Sequence, residues 1–158
     1  MRSRRLGRAG LVVGLSLLSV RAGAGQSAYV AGGVGPTAVI EGRSGNRNWF
    51  GVAGYPGRGG MGFRVSGAET VSRLWLSVDL TVQPGTPRKV RPYGFVGGGV
   101  VLDFDESDPV LTLGGGLRVQ LQRLIFLLGE ARLQTIPGSS ASGPETILPI
   151  TFGLGLGT

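Results

Sequence analysis

Apolar and polar residues alternate with a period of two along the segment from Leu111 to Gln134. From Leu111 to Leu121 the odd positions hold leucine, valine or glycine, and the even positions hold threonine, glycine, arginine or glutamine. Neighbouring side chains of a β-strand point to opposite faces, so this pattern predicts a strand with one apolar face. A helix would carry no apolar stripe here, and its glycines would weaken it.

The alternation resumes beyond Gln122 and Arg123, with apolar or small residues on one face as far as Leu133. Two long strands joined by a tight turn predict a β-hairpin. Arg118 and Glu130 lie on its polar faces. Opposite charges on neighbouring strands attract, so we expect these two side chains to pair across the hairpin.

The first 24 residues have the three parts of a secretory signal peptide. Met1 to Arg8 carries four arginines, Ala9 to Val20 is apolar, and Ala22-Gly23-Ala24 is a small-x-small cleavage site. The apolar run is shorter than the roughly 20 residues that a membrane-spanning helix needs. We therefore expect residues 1–24 to be cleaved and residues 25–158 to form a single domain.

Removal of this segment changes the charge argument. Five of the 16 Lys+Arg residues and none of the nine Asp+Glu residues lie in it, which leaves 11 bases and nine acids, a net charge of +2 instead of +7. The remaining arginines are scattered, without a basic stripe. The sequence therefore predicts no nucleic-acid partner.

The chain contains neither cysteine nor histidine. An exported domain of this size would thus fold without disulfides. The absence of histidine removes the commonest general base and the commonest metal ligand, together with any Ser-His triad. We therefore expect neither catalysis nor a cofactor.

Period-two segments recur through the whole mature chain and are separated only by short polar or Gly/Pro-rich connections. Eight antiparallel strands in sequence order can close into an up-and-down barrel without exposed edges. Most of the segments are roughly 9–13 residues long, which suits a tilted membrane-spanning strand better than a soluble one. The fold class predicted is all-β, an eight-stranded antiparallel transmembrane β-barrel. The predicted strands are 27–40, 48–55, 61–66, 73–83, 90–104, 111–121, 125–134 and 147–158.

Glycines indicate which face of this barrel is inside. Repeated glycines on a solvent-facing surface would only weaken the strands, whereas in a narrow lumen they make room for large side chains such as Trp75 and Tyr93. We therefore place the Leu/Val/Ile face toward lipid. The glycines that share the opposite register are Gly97, Gly99, Gly114, Gly116, Gly153, Gly155 and Gly157.

Charged residues on the same inward register are expected to form an ion-pair network, because an unpaired buried charge is costly. Glu130 with Asp79 could in principle act as an acid/base pair, but the arginines beside them favour a structural network. The predicted network consists of Arg73, Asp79, Arg91, Arg118, Glu130 and Arg132.

The acidic segment DFDESD is a weak candidate for calcium, because hard cations prefer clustered carboxylates. It lacks the glycine and the distal glutamate of an EF-hand loop, so a solvated acidic loop is the preferred interpretation. Its carboxylates are Asp103, Asp105, Glu106 and Asp108.

With its signal peptide and the strands GGGLRVQL, GEARL and TFGLGLG, the chain resembles the small outer-membrane β-barrel families, both OmpA/OmpX-like and opacity-type. The resemblance implies a bacterial outer-membrane location, contact with outer-membrane lipid, and insertion by the barrel-assembly machinery. It also implies a structural, adhesive or very narrow-pore role. It leaves the oligomeric state open.

A soluble exported barrel that binds an apolar ligand, as lipocalins do, is the alternative. That interpretation would turn the Leu/Val face inward. The small set of aromatic residues (two Trp, three Tyr and six Phe) and the non-aromatic end Leu156-Gly157-Thr158 favour it. The length of the strands and the placement of the glycines favour the membrane barrel.

Overall fold

The computed structural model describes residues 28–41, 47–70, 73–84, 89–103, 107–137 and 144–157. Every strand pairs antiparallel with its neighbours in the sequence, and the first strand also pairs with the last. The predicted eight-stranded antiparallel barrel is therefore confirmed. The predicted signal peptide, residues 1–24, lies outside the described residues.

The strands follow one another with short connections, and a 3-10 turn, Arg58–Gly60, precedes the third of them. Across the described ranges, no helix is both long and apolar enough to cross a membrane. The strands are β1 Tyr29–Glu41, β2 Arg47–Tyr55, β3 Met61–Thr70, β4 Arg73–Val82, β5 Val90–Leu102, β6 Ser107–Gln120, β7 Ile125–Ile136 and β8 Glu145–Gly157.

The barrel has two ends that differ in their connections. At the turn end β1 begins, β8 ends, and residues 56–60, 83–89 and 121–124 connect β2 to β3, β4 to β5 and β6 to β7. At the loop end residues 42–46, 71–72, 103–106 and 137–144 make the other four connections.

The strands are strongly staggered. Stepping from Tyr29 across the eight ladders in turn returns to β1 at Val39, ten residues farther along. For eight strands this stagger corresponds to a tilt of about 40°, within the range typical of barrels. The tilt brings inward-facing residues of different strands to the same level, and it decides which charges meet.

Two strands, β3 and β6, extend four residues beyond their predicted bounds. β3 continues past Ser66 to Thr70, because its last residues pair with the start of β4 as far as Arg73. β6 begins at Ser107 and not at Leu111, because Ser107 pairs with Leu102 of β5. Ladder hydrogen bonds in a closed sheet thus override the polar character of these segments.

The Leu/Val/Ile face points outward, as expected from the glycines. Leu80, Leu113 and Leu154 expose 61%, 57% and 57% of their surface. Near the loop end the indole of Trp49 donates a hydrogen bond to Glu69 (2.8 Å) on this outer face. Such an apolar band, ending in an amphipathic aromatic residue, is typical of a lipid-facing barrel wall and not of a lipocalin-like one.

Candidate functional site in the barrel lumen

Four buried charged residues meet in the middle of the lumen: Arg64 of β3, Asp79 of β4, and Glu130 and Arg132 of β7. Each is at most 3% exposed. The Arg64 guanidinium donates to Asp79 Oδ2 (2.9 Å) and to Glu130 Oε2 (2.6 Å), and Arg132 Nε donates to Glu130 Oε1. We call these four residues the lumen quartet. Two cations and two anions give it no formal net charge.

Neutral hydroxyl groups add further hydrogen bonds around the quartet. Tyr93 donates to Glu130 Oε2 over 2.6 Å. Arg132 Nη1 donates to Ser66 Oγ (2.9 Å), which lies 2.8 Å from Ser77 Oγ on the neighbouring strand. Buried ion pairs are stable only when further hydrogen bonds satisfy the remaining polar atoms, and these contacts meet much of that need.

Glycines on the neighbouring strands give the quartet its space. Glu130 lies directly opposite Gly116, which lies opposite Tyr93. A Cβ on Gly116 would sit 2.7 Å from the Tyr93 hydroxyl oxygen, so only glycine lets the tyrosine cross to reach Glu130. Gly97 has the same relation to Asp79: its Cβ would lie 2.4 Å from Asp79 Oδ1. The sequence predicts that lumen glycines make room for large side chains. Here these glycines lie directly opposite charged or aromatic residues.

Phe95 lies across the backbone of Gly114, its direct partner on β6. A Cβ there would meet the Phe95 ring at 2.3 Å and the Ala131 carbonyl oxygen at 2.5 Å. Gly114→Ala is therefore expected to lower the free energy of unfolding by about 1–3 kcal/mol, a typical cost of overpacking. Chemical unfolding of the folded barrel in lipid vesicles measures this difference.

Gly94→Ala is the matched control, because a Cβ on Gly94 would meet only a carbonyl oxygen at 3.8 Å. It should leave stability within the small range of a surface substitution. Equal losses in the two variants would show that Phe95 does not need the space above Gly114.

Aromatic rings also flank the lumen arginines. The Arg64 guanidinium carbon lies 3.5 Å from the Phe95 ring centroid. Arg118 lies 4.0 Å from the ring centroid of Tyr29 and 4.5 Å from that of Phe126. Guanidinium groups stack favourably on aromatic faces, and the attraction grows when water is excluded.

An apolar plug fills the lumen between the quartet and the loop end. Its members come from β4 to β8, and each is at most 2% exposed. The plug consists of Trp75, Val101, Val110, Ile136 and Ile147.

Arg73 spans the mouth of the barrel above this plug. It contacts Asp103, which follows β5, at 3.1 Å, and Glu145 of β8 at 2.7 Å. Because β4 and β8 lie on opposite sides of the barrel, the second contact joins opposite walls at the loop end.

The structure divides the predicted network into three groups. Asp79, Glu130 and Arg132 meet in the quartet, Arg73 lies at the loop end, and Arg91 and Arg118 lie opposite one another near the turn end. The expected Arg118–Glu130 ion pair is not formed: Arg118 lies opposite Leu128, and both Glu130 oxygens accept hydrogen bonds from Arg64.

Arg64 is the network residue that the sequence analysis missed. It alternates with the outward-facing Phe63 and Val65, so the period of β3 already placed it inside. The alternation that placed Asp79 of β4 and Glu130 of β7 inside also identifies Arg64 as an inward-facing residue.

The calcium hypothesis falls only partly on described residues. Asp105 and Glu106 lie outside them, Asp103 is paired with Arg73, and Asp108 is half-buried at the start of β6. Within the described part of the chain, no three carboxylate, histidine or cysteine side chains are grouped as metal ligands would be.

The geometry does not suit the Asp79–Glu130 acid/base pair considered above. Both carboxylates are held by the same guanidinium, that of Arg64, and both are buried. A general base must reach the proton that it abstracts, and here aromatic rings and the plug surround the pair. The arrangement is that of a structural core.

No family model matches the sequence, and no curated protein matches it either. Solved structures do match. Neisserial surface protein A has a TM-score of 0.64 at 12% identity, covering 83% of this chain and 95% of that one. The N-terminal β-barrel domain of Pseudomonas aeruginosa OprF has a TM-score of 0.61 at 17% identity, covering 83% and 97%.

Ail, the attachment invasion locus protein of Yersinia pestis, has a TM-score of 0.58 at 14% identity, covering 84% of this chain and 99% of that one. A further structure describes Ail as an outer-membrane protein. The identities are low, so the likeness concerns the fold. It agrees with the outward apolar band and with the predicted outer-membrane location. The chain has the fold of the small eight-stranded outer-membrane β-barrels.

Proposed function

We propose that the mature chain is a structural β-barrel of the bacterial outer membrane whose lumen does not conduct solutes. The sequence left structural, adhesive and narrow-pore roles open. The apolar plug favours the structural role over the narrow pore. Its five side chains are at most 2% exposed, and the buried side chains of the lumen quartet lie next to them. A conducting barrel needs a continuous polar path, and larger barrels than this one provide it.

The proposed partners rest on the apolar outer surface and on the resemblance to small outer-membrane barrels. Outer-membrane lipid covers the apolar band, and the barrel-assembly machinery inserts the chain after export. The described lumen carboxylates are held by arginines, which supports a proposed role without catalysis. It also includes no nucleic-acid partner.

Adhesion is the less favoured role. Ail has been solved in complex with the heparin analogue sucrose octasulfate, a polyanion. In this chain the described carboxylates outside the quartet gather at the loop end, where they outnumber Arg73, and an excess of negative charge repels such ligands. These carboxylates are Glu69, Asp103, Asp108 and Glu145.

Electrical recording from planar lipid bilayers tests the closed lumen. The folded wild-type barrel is expected to add no conductance steps above the lipid background. Trp75→Ala, which thins the plug, serves as the comparison, and Leu113→Ala on the outer face is the control. Steady wild-type steps whose size changes in Trp75→Ala but not in Leu113→Ala would contradict the proposal.

A further inference from the structure

Three charged side chains cross the loop-end mouth of the barrel. Arg73 Nε donates to Asp103 Oδ2 over 3.1 Å, and Arg73 Nη1 donates to Glu145 Oε2 over 2.7 Å. Arg73 begins β4, Asp103 directly follows β5, and Glu145 begins β8. Because β4 and β8 are four strands apart in a closed barrel of eight, Arg73 bridges the width of the mouth. We call these three residues the mouth strap.

The mouth strap lies directly above the apolar plug. Each strap residue stands two positions along the chain from one plug residue. Residues two apart in an extended chain point to the same face and lie about 7 Å from one another. The strap is therefore the next layer of the lumen toward the loop end. The pairs are Arg73 with Trp75, Asp103 with Val101, and Glu145 with Ile147.

The exposed fraction falls steeply between these two layers. The Arg73 and Glu145 side chains are 32% and 25% exposed, whereas Trp75 is 2% exposed and Ile147 is 0% exposed. Water thus reaches the mouth strap and not the plug below it. The buried lumen quartet lies on the other side of the plug, so the loop end is the shorter route from solvent to Trp75.

The strap is held by weaker interactions than the layers beneath it. Ion pairs between partly exposed side chains are weak, and dissolved salt screens them. The buried charges of the quartet are screened much less, and the apolar plug carries no charge to screen. The mouth strap is therefore the layer of the lumen that opens first when the ionic strength rises.

We propose that the mouth strap is a salt-sensitive cover of the plug. With its ion pairs formed it keeps small solutes at the loop end away from Trp75, and with the pairs screened the mouth opens as far as the plug. This inference rests on the proposed closed lumen and adds the element that controls access to it from the loop end.

Quenching of tryptophan fluorescence by acrylamide tests the proposal, because acrylamide is small and carries no charge for salt to screen. The chain has two tryptophans, so Trp49→Phe, introduced in every sample, leaves Trp75 as the only indole. The mature parent protein is folded in lipid vesicles, and its quenching constant is measured at low and at high sodium chloride. Arg73→Gln removes the strap cation. Arg91→Gln, at another partly exposed arginine near the turn end, is the control.

High salt is expected to raise the quenching constant of the parent about two- to fivefold, the factor by which loss of an exposed ion pair shifts an equilibrium. Arg73→Gln should show the raised constant already at low salt, with no further rise, and Arg91→Gln should behave as the parent does. The salt titration needs only the parent, so the test holds even if Arg73→Gln does not fold.

A Trp75 that stays protected at high salt and in Arg73→Gln would overturn the proposal and leave the closed lumen intact. An equal rise in Arg73→Gln and Arg91→Gln at low salt would overturn it as well, because the mouth strap would then have no special part. Failure of the closed lumen gives a different result: Trp75 of the parent would be quenched at low salt as strongly as in the denatured chain.

Discussion

Glu130→Leu is expected to lower the free energy of unfolding by about 3–5 kcal/mol, because removing one partner leaves a buried charge uncompensated. Glu130 accepts from Arg64, from Arg132 and from the hydroxyl of Tyr93. Without its carboxylate the quartet would hold two buried guanidinium groups against a single anion, Asp79. Leucine is also too apolar to satisfy the tyrosine hydroxyl. Denaturant unfolding of the barrel in lipid vesicles, followed by tryptophan fluorescence, measures the loss.

Glu145→Leu is the matched control. Glu145 also contacts an arginine, Arg73, at 2.7 Å, but the two side chains are 25% and 32% exposed. An ion pair of this exposure contributes about 0–1 kcal/mol. A loss in Glu130→Leu no larger than that in Glu145→Leu would show that water reaches the quartet. The account of a sealed lumen would then be wrong.

Leu113→Arg is expected to impair insertion and to lower the stability of inserted barrels by about 2–4 kcal/mol, the cost of an arginine facing lipid at mid-depth. Leu113 lies in the middle of β6 on the outer face, between Val96 and Leu133 of the neighbouring strands. Its side chain is 57% exposed, so the substitution changes the outer surface without disturbing the lumen. Folding yield in vesicles and unfolding free energy are the two measurements.

Leu121→Arg provides the comparison at a different depth. Leu121 is exposed to a similar degree, 50%, but it lies in the β6–β7 connection at the turn end. Arginine there can reach the interface, and the cost should fall to about 0–1 kcal/mol. If Leu113→Arg were tolerated as well as Leu121→Arg, the outer face would not be surrounded by lipid.

The fold could be predicted because residues that alternate along a strand lie on its two opposite faces, so the alternation of apolar and polar residues shows which face points to lipid. Leu113 and Thr112 illustrate this: the first is exposed on the outer wall and the second is buried in the lumen, as their alternation indicated. Strand ends were less predictable. Gly67 to Thr70 are polar or small, and they are strand only because β4 offers them partners in a closed sheet.

The site could be predicted only in part, because alternation gives the face of a residue but not its neighbours across the ladders. Arg118 and Glu130 lie on adjacent strands and on the same inward face, yet Glu130 faces Gly116 and Arg118 faces Leu128. The contact between Arg64 of β3 and Glu130 of β7 depends on the stagger of the whole barrel. No local pattern reports that stagger. The glycine and aromatic pairs, such as Gly114 with Phe95, also become visible only once the register is known.

The central claim is that the mature chain forms a closed barrel in the outer membrane with its apolar face toward lipid. Membrane fractionation followed by gel electrophoresis with and without boiling tests it most directly. We expect recovery in the outer-membrane fraction and a difference in gel mobility between the unboiled and the boiled sample, because the closed sheet resists detergent until it is heated. Recovery as a soluble exported protein with the same mobility in both samples would contradict the claim. It would favour the soluble, lipocalin-like barrel instead.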